Sequence, residues 1–177
     1  MANRRRGEIE AVLAGERHKL VLTLGALAEL EGAFGVADLA ALGRRLAAGG
    51  LSARDITHIL QAGLHGAGSS LDASRLPVAR ALPEILRAVT ELLTATFGQE
   101  EAAGGPSHAV DAARPFPWEE AMRLGFGVLR LSSRAFWGMT PRELAAASAG
   151  IYGPPRAPLS GGELAALMRA FPDDTGA

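Results

Sequence analysis

The sequence predicts a mainly α-helical fold that opens with a small β-hairpin, an α+β arrangement in which a bundle-like unit precedes a short helical unit. Three observations predict it. Apolar residues recur at helical spacing over most of the chain, as in Leu82, Ile85, Leu86, Val89, Leu92, Leu93 and Phe97. Strand-like alternation is confined to residues 8–24. Alanine supplies about a fifth of the 177 residues and aromatics only 5%, a composition that suits thin, closely packed helices.

In residues 8–24, Leu20, Leu22 and Leu24 alternate with Val21 and Thr23, and Ala14-Gly15-Glu16 supplies a turn after Ile9 to Leu13. Two strands alone are marginal, so a helix from Leu24 to Phe34 is expected to cross their apolar face with Leu27 and Leu30. A further helix is expected from about Val36 to Ala47, ended by Gly49-Gly50. Ser52 followed by Asp55 forms an N-cap signal for a helix carrying Ile56, Ile59, Leu60 and Leu64. The clearest helix is 83–97, where Glu84, Arg87 and Glu91 occupy the polar side at spacings that permit surface pairing.

Residues 98–114 show no apolar period and contain Gly104-Gly105-Pro106, which marks a linker. The chain is therefore expected to divide into a unit over 1–97, a linker over 98–114 and a shorter unit over 115–177. In the last unit Pro117 opens a helix through Trp118, Met122, Phe126 and Leu129, with Gly125 and Gly127 permitting close approach of another backbone. Thr140-Pro141-Arg142-Glu143 combines a hydroxyl cap, proline at the first position and glutamate at the third. Ser160 and Glu163 repeat that cap before Leu164, Leu167, Met168 and Phe171.

Composition excludes several kinds of chemistry. There are no cysteines, hence no disulfide, thiolate catalysis or cysteine-bearing metal site. Lys+Arg 18 against Asp+Glu 19 leaves a formal charge of −1, so no overall field draws the chain to nucleic acid or an anionic membrane. No window reaches the roughly 18 apolar residues of a membrane span, and Met1-Ala2-Asn3-Arg4-Arg5-Arg6 leads into no signal core. The sequence reads as a soluble cytoplasmic protein. Arg4-Arg5-Arg6 invites comparison with a nucleic-acid arm, but three arginines release few counterions and no aromatics interleave with them.

Asp55, His58 and His65 sketch a metal site on one helix side, yet the stretch offers no fourth ligand and the histidines read as polar-face residues. The acidic pairs Glu29/Glu31, Glu100/Glu101, Glu119/Glu120 and Asp173/Asp174 do not face each other across a substrate as a catalytic pair would. Neither Gly32-Ala33-Phe34-Gly35 nor Gly66-Ala67-Gly68 has the spacing of a phosphate loop. No catalytic residue, cofactor or metal is expected. Instead, Phe116, Trp118, Met122, Phe126, Phe136, Trp137 and Met139 concentrate large side chains within 24 residues. A unit this short cannot bury all of them, so Trp118, Met122, Phe126, Phe136, Trp137 and Met139 are candidates for a partner-binding surface, with self-association or the unit's own core as competing uses.

Two stretches resemble known families. Leu22-Thr23-Leu24-Gly25-Ala26-Leu27-Ala28-Glu29-Leu30-Glu31 with Phe34-Gly35, within residues 8–97, resembles a family encoded in the tail cluster of gene transfer agents and classed with phage tail assembly chaperones. Phe116-Pro117-Trp118-Glu119-Glu120-Ala121-Met122, Phe136-Trp137-Gly138-Met139-Thr140-Pro141-Arg142-Glu143-Leu144 and Phe171-Pro172, within residues 115–172, resemble a second tail assembly chaperone family. The resemblance implies a non-catalytic factor that binds the tape measure protein and keeps it soluble until tail tube subunits polymerise around it. An adaptor or minor structural protein retained in the tail is the alternative. Both families stand on one chain here, where separate adjacent reading frames are expected in gene transfer agents.

Overall fold

The computed structural model describes residues 1–35, 51–76, 81–97, 116–153, 162 and 168–171. The expected helix over 36–47, the linker over 98–114 and the Ser160/Glu163 cap lie outside these residues.

Strands β1 (Ile9–Leu13) and β2 (Glu16–Leu20) pair antiparallel, with Ile9 opposite Leu20 and Leu13 opposite Glu16. Ala14 (φ 53°) and Gly15 (φ 87°) form the two-residue connection, and two successive left-handed residues match the right-handed twist of a hairpin. Along β1, Ile9, Ala11 and Leu13 point inward while Glu10 and Val12 point outward. The strand stops sooner than the alternation suggests. Beyond Leu20 the Val21 N–H donates not to β1 but to the Gly63 carbonyl (3.0 Å), and the Thr23 hydroxyl accepts from the Ala26 N–H (3.2 Å), capping helix α1 (Leu24–Phe34). Leu24 thus starts a helix instead of extending a strand.

Helix α2 (Ala53–Gly66) begins with the expected capping box: Ser52 Oγ accepts from the Asp55 N–H (3.2 Å), and the Asp55 carboxylate accepts from the Ser52 N–H (3.0 Å). Its buried side, including Ile56, Ile59, Leu60 and Leu64, packs against α1 and β2. The Gln61 side chain accepts from the Ala73 N–H (2.7 Å) and donates to the Leu71 carbonyl (3.2 Å), which folds the short 3₁₀ turn Ala73–Arg75 back onto α2. Helix α3 (Leu82–Phe97) lies against β1 and α2. Its apolar stripe is wider than its core-facing side. Ile85, Ala88, Val89 and Leu92 are buried, whereas Leu82, Leu86 and Phe97 are exposed, and Arg87 forms no ion pair with Glu84 or Glu91.

The remaining elements are short. Helix α4 (Trp118–Met122) passes into a π-helical segment, Arg123–Val128, and is followed by α5 (Ser133–Trp137) and α6 (Pro141–Tyr152). The helix expected from Pro117 through Leu129 forms over Trp118–Val128, but its second half is π-helical instead of α-helical. Gly125 sits beneath the Phe136 ring, where a Cβ would overlap the ring, and the wider π turn seats the glycine there. The close approach that Gly125 permits is thus to a side chain, and Gly127 has open space around it. The Thr140/Glu143 capping box opens α6 as expected.

Buried side chains form two clusters. The larger joins the hairpin, α1, α2 and α3 around Leu13, Leu20, Leu27, Ile59, Leu60 and Leu92. The smaller contains Leu24, Ala121, Phe136 and Leu144, so its first member comes from α1.

Two glycines in helices make the packing testable. A Cβ at Gly66 would run into the Val21 carbonyl, whereas one at Gly32 meets nothing within 4 Å. Gly66→Ala should lower stability by about 1–3 kcal/mol, and Gly32→Ala should raise it by about 0.5–1 kcal/mol through helix propensity. Denaturant unfolding midpoints read both, and a Gly66→Ala protein as stable as the parent would contradict this packing.

Candidate functional site

The aromatic segment packs against the start of α1. Helix α1 begins at Leu24, whose N–H donates to the Met139 carbonyl (2.8 Å) and whose side chain is fully buried among Ala121, Phe136 and Leu144. The next residue must be small. A Cβ on Gly25 would lie 3.1 Å from the Trp137 carbonyl oxygen, so glycine lets the α5–α6 connection rest directly on the first turn of α1.

Two sets of polar contacts accompany this apolar seat. Trp118 Nε1 donates to Glu31 Oε2 (2.7 Å) at the far end of α1. Arg6 uses three nitrogens at once: Nη2 donates to the Gly138 carbonyl (2.6 Å), Nε to Glu143 Oε1 (3.1 Å) and Nη1 to Glu8 Oε1 (3.2 Å). Glu143 Oε2 meanwhile accepts from the Thr140 N–H (2.8 Å), so a single carboxylate both caps α6 and holds the N-terminal segment. Arg6 is therefore fixed in place and does not serve as part of a mobile basic arm.

The rings form a continuous series. Phe116 and Trp118 have centroids 4.5 Å apart, Trp118 and Trp137 5.8 Å, Trp137 and Phe136 4.9 Å, and Phe136 and Phe126 4.7 Å, at tilted or edge-on angles that aromatic pairs favour. Of the six sequence candidates, Phe136 is completely buried, Trp118, Met122, Trp137 and Met139 are half-buried, and Phe126 is 38% exposed. Phe126 is joined by exposed Val128, and farther along the unit Ile151 and Tyr152 are also exposed. Leu24, Gly25, Glu31 and Arg6 are parts of this junction that pattern reading does not find. Only the Leu24-Gly25 step at a helix start hints at a close approach.

The residues of the sketched metal site have other work. Asp55 caps α2, His58 Nε2 accepts from Arg54 Nε (3.4 Å) and lies edge-on to Phe34, and His65 contacts Gln61 and Glu29. Among the described residues no group of three His, Asp or Glu side chains could hold a metal ion, and no helix is long and apolar enough to cross a membrane.

Comparison with known families follows the same two-part order. Residues 116–174 match the family described as phage tail assembly chaperone protein, TAC, which identifies a phage tail assembly protein. Residues 6–99, more than half of the chain, match the family described as phage tail tube protein, GTA-gp10, and the chain belongs to that family. One chain thus joins both segments. No curated protein and no solved structure matches it. Families of phage tail structural and chaperone proteins are generally non-enzymatic, and the chain has a role in tail assembly that implies contact with other tail proteins.

One titratable group at the junction has a displaced pKa. The Asn3 backbone N–H (2.9 Å) does most to hold the Glu8 carboxyl below the ordinary glutamate range; burial opposes it, and Arg6 and Lys19 add to it. A carboxylate whose folded pKa is depressed stabilises the fold above its unfolded pKa of about 4.3, and that contribution is lost as pH falls through the lower folded value. Glu8→Gln should therefore be less stable than the parent at pH 7, and the difference should shrink as acidification protonates the folded-state carboxyl, read in paired denaturant titrations.

Proposed function

We propose that this protein is a non-catalytic tail assembly chaperone that acts in the cytoplasm, binds the tape measure protein and keeps it soluble while the tail is built. The observation that carries the reading is the partly exposed aromatic surface on the very segment that matches the chaperone family, with Phe126 at 38% exposure beside Val128. Exposed rings supported from below by a buried ring suit recognition of apolar helix faces, because the anchor is held in place before the client arrives. In this reading Phe126, Met122 and Met139 touch the client. Phe136, Trp137 and Trp118 hold them in position and seat the unit on α1. Residues 1–97 and 115–177 act as two units joined by 98–114, the first supporting the second. Tail tube subunits and further copies of the chain are the other partners this role implies.

Retention in the finished tail is favoured as a second reading by the tail tube description of the family that covers residues 6–99. A departing chaperone is absent from purified particles, and a structural component is present at fixed stoichiometry.

Co-expression with a cognate tape measure protein tests the proposal. The parent chain should yield a soluble complex with several copies per tape measure, read by light scattering. Phe126→Glu and Met139→Glu should each weaken it about tenfold or more while the first unit stays folded. An insoluble tape measure beside a free 18.3 kDa chain would overturn the chaperone assignment.

A further inference from the structure

A cleft of about 540 Å³ opens between the N-terminal segment, the second half of α3 and the start of α6. Arg4, Arg87 and Arg142 line it together with Glu8 and Glu91, and Arg5 borders an adjoining hollow next to Arg4 and Arg142. Glu8 is already matched, since Arg6 and Lys19 both reach its carboxylate. Three guanidinium groups then face one remaining carboxylate, Glu91. Among the described residues, Arg4, Arg5, Arg87 and Arg142 form no ion pair, unlike Arg6, Arg75 and Arg123. Arg142 is held there with its Nε buried and without a hydrogen-bond partner, so its guanidinium has no acceptor from the chain on that nitrogen. Thr90 and Thr94 add hydroxyl groups along α3, and Ile9 and Ala95 provide apolar lining.

We propose that this cleft binds the carboxylates of an acidic segment of a partner protein. A guanidinium fork matches a carboxylate in two parallel hydrogen bonds, and arginines on three separate elements can engage side chains projecting from one peptide. The mixed lining also favours a peptide, whose apolar side chains can rest on Ala95. A nucleic-acid backbone would instead need a positive track along its length, whereas these arginines are confined to one cleft on a chain of net charge −1. The site shares no residue with the client surface assigned above, so it goes beyond that reading and does not depend on it.

The test uses the full chain and a fluorescein-labelled peptide rich in glutamate and alanine, with its all-glutamine counterpart, followed by anisotropy in roughly 0.05 M salt. The glutamate peptide should bind and the glutamine peptide should not. Arg87→Gln and Arg142→Gln should each weaken binding about tenfold, while Arg134→Gln, on the exposed face of α5, should leave it unchanged. Arg87 is exposed, so its replacement preserves the fold and decides the matter if the Arg142 variant unfolds. Absence of binding, or equal affinity in the cleft variants, would overturn the site. A single-stranded DNA oligonucleotide that binds more tightly than the peptide and is weakened by the same two replacements would overturn the choice of a protein partner.

Discussion

The arrangement of this protein depends on the first turn of α1, a helix whose side chains are shared between two cores. Leu24 begins a helix that packs into the larger cluster through Leu27 and Leu30, yet its own side chain lies in the smaller one. Its N–H would be an orphan donor at a helix start, and the Met139 carbonyl takes it. Gly25 completes the seat by leaving no Cβ between the helix and the Trp137 carbonyl. Because the contact is made by backbone on backbone, no flexible side chain can absorb a misfit. The position of the aromatic segment relative to α1 follows from it.

Around that seat the polar contacts fix orientation more than they add stability. Trp118 with Glu31 and Arg6 with Glu143 add to the Leu24 contact, so the aromatic segment and α6 are held at three points. Partly exposed ion pairs contribute little individually, about 0–1 kcal/mol. Three points define a plane, however, and that suffices to set which aromatic faces look inward. Phe136 is enclosed and Phe126 is left at the surface as a consequence.

Much of the fold was legible in the sequence because local chemistry determined it. The Ser52/Asp55 and Thr140/Glu143 boxes, the hairpin turn and the stripe of α3 are read from neighbours within four residues, and each appears where that chemistry places it. Legibility failed where a distant partner decided. The alternation through Leu22 and Leu24 suggested a longer strand, but Gly63 takes the Val21 N–H and Thr23 caps a helix. The apolar stripe of α3 did not reveal that Leu82, Leu86 and Phe97 stay exposed. At the candidate site, the sequence supplied the aromatic inventory but not the division of labour within it. Arg6 read as one of three terminal arginines, since nothing local announces a partner more than a hundred residues away.

The burial of Leu24 by residues from the other end of the chain also bears on how the protein leaves the ribosome. The hairpin, α1, α2 and α3 are complete once residue 97 has emerged, but Ala121, Phe136 and Leu144, which enclose Leu24, have still to emerge. At 5–20 residues per second this interval lasts about 2–10 s. During it the nascent chain displays a bare leucine at a helix start that only water hydrogen-bonds, so the order of translation leaves an apolar spot waiting for its own downstream sequence.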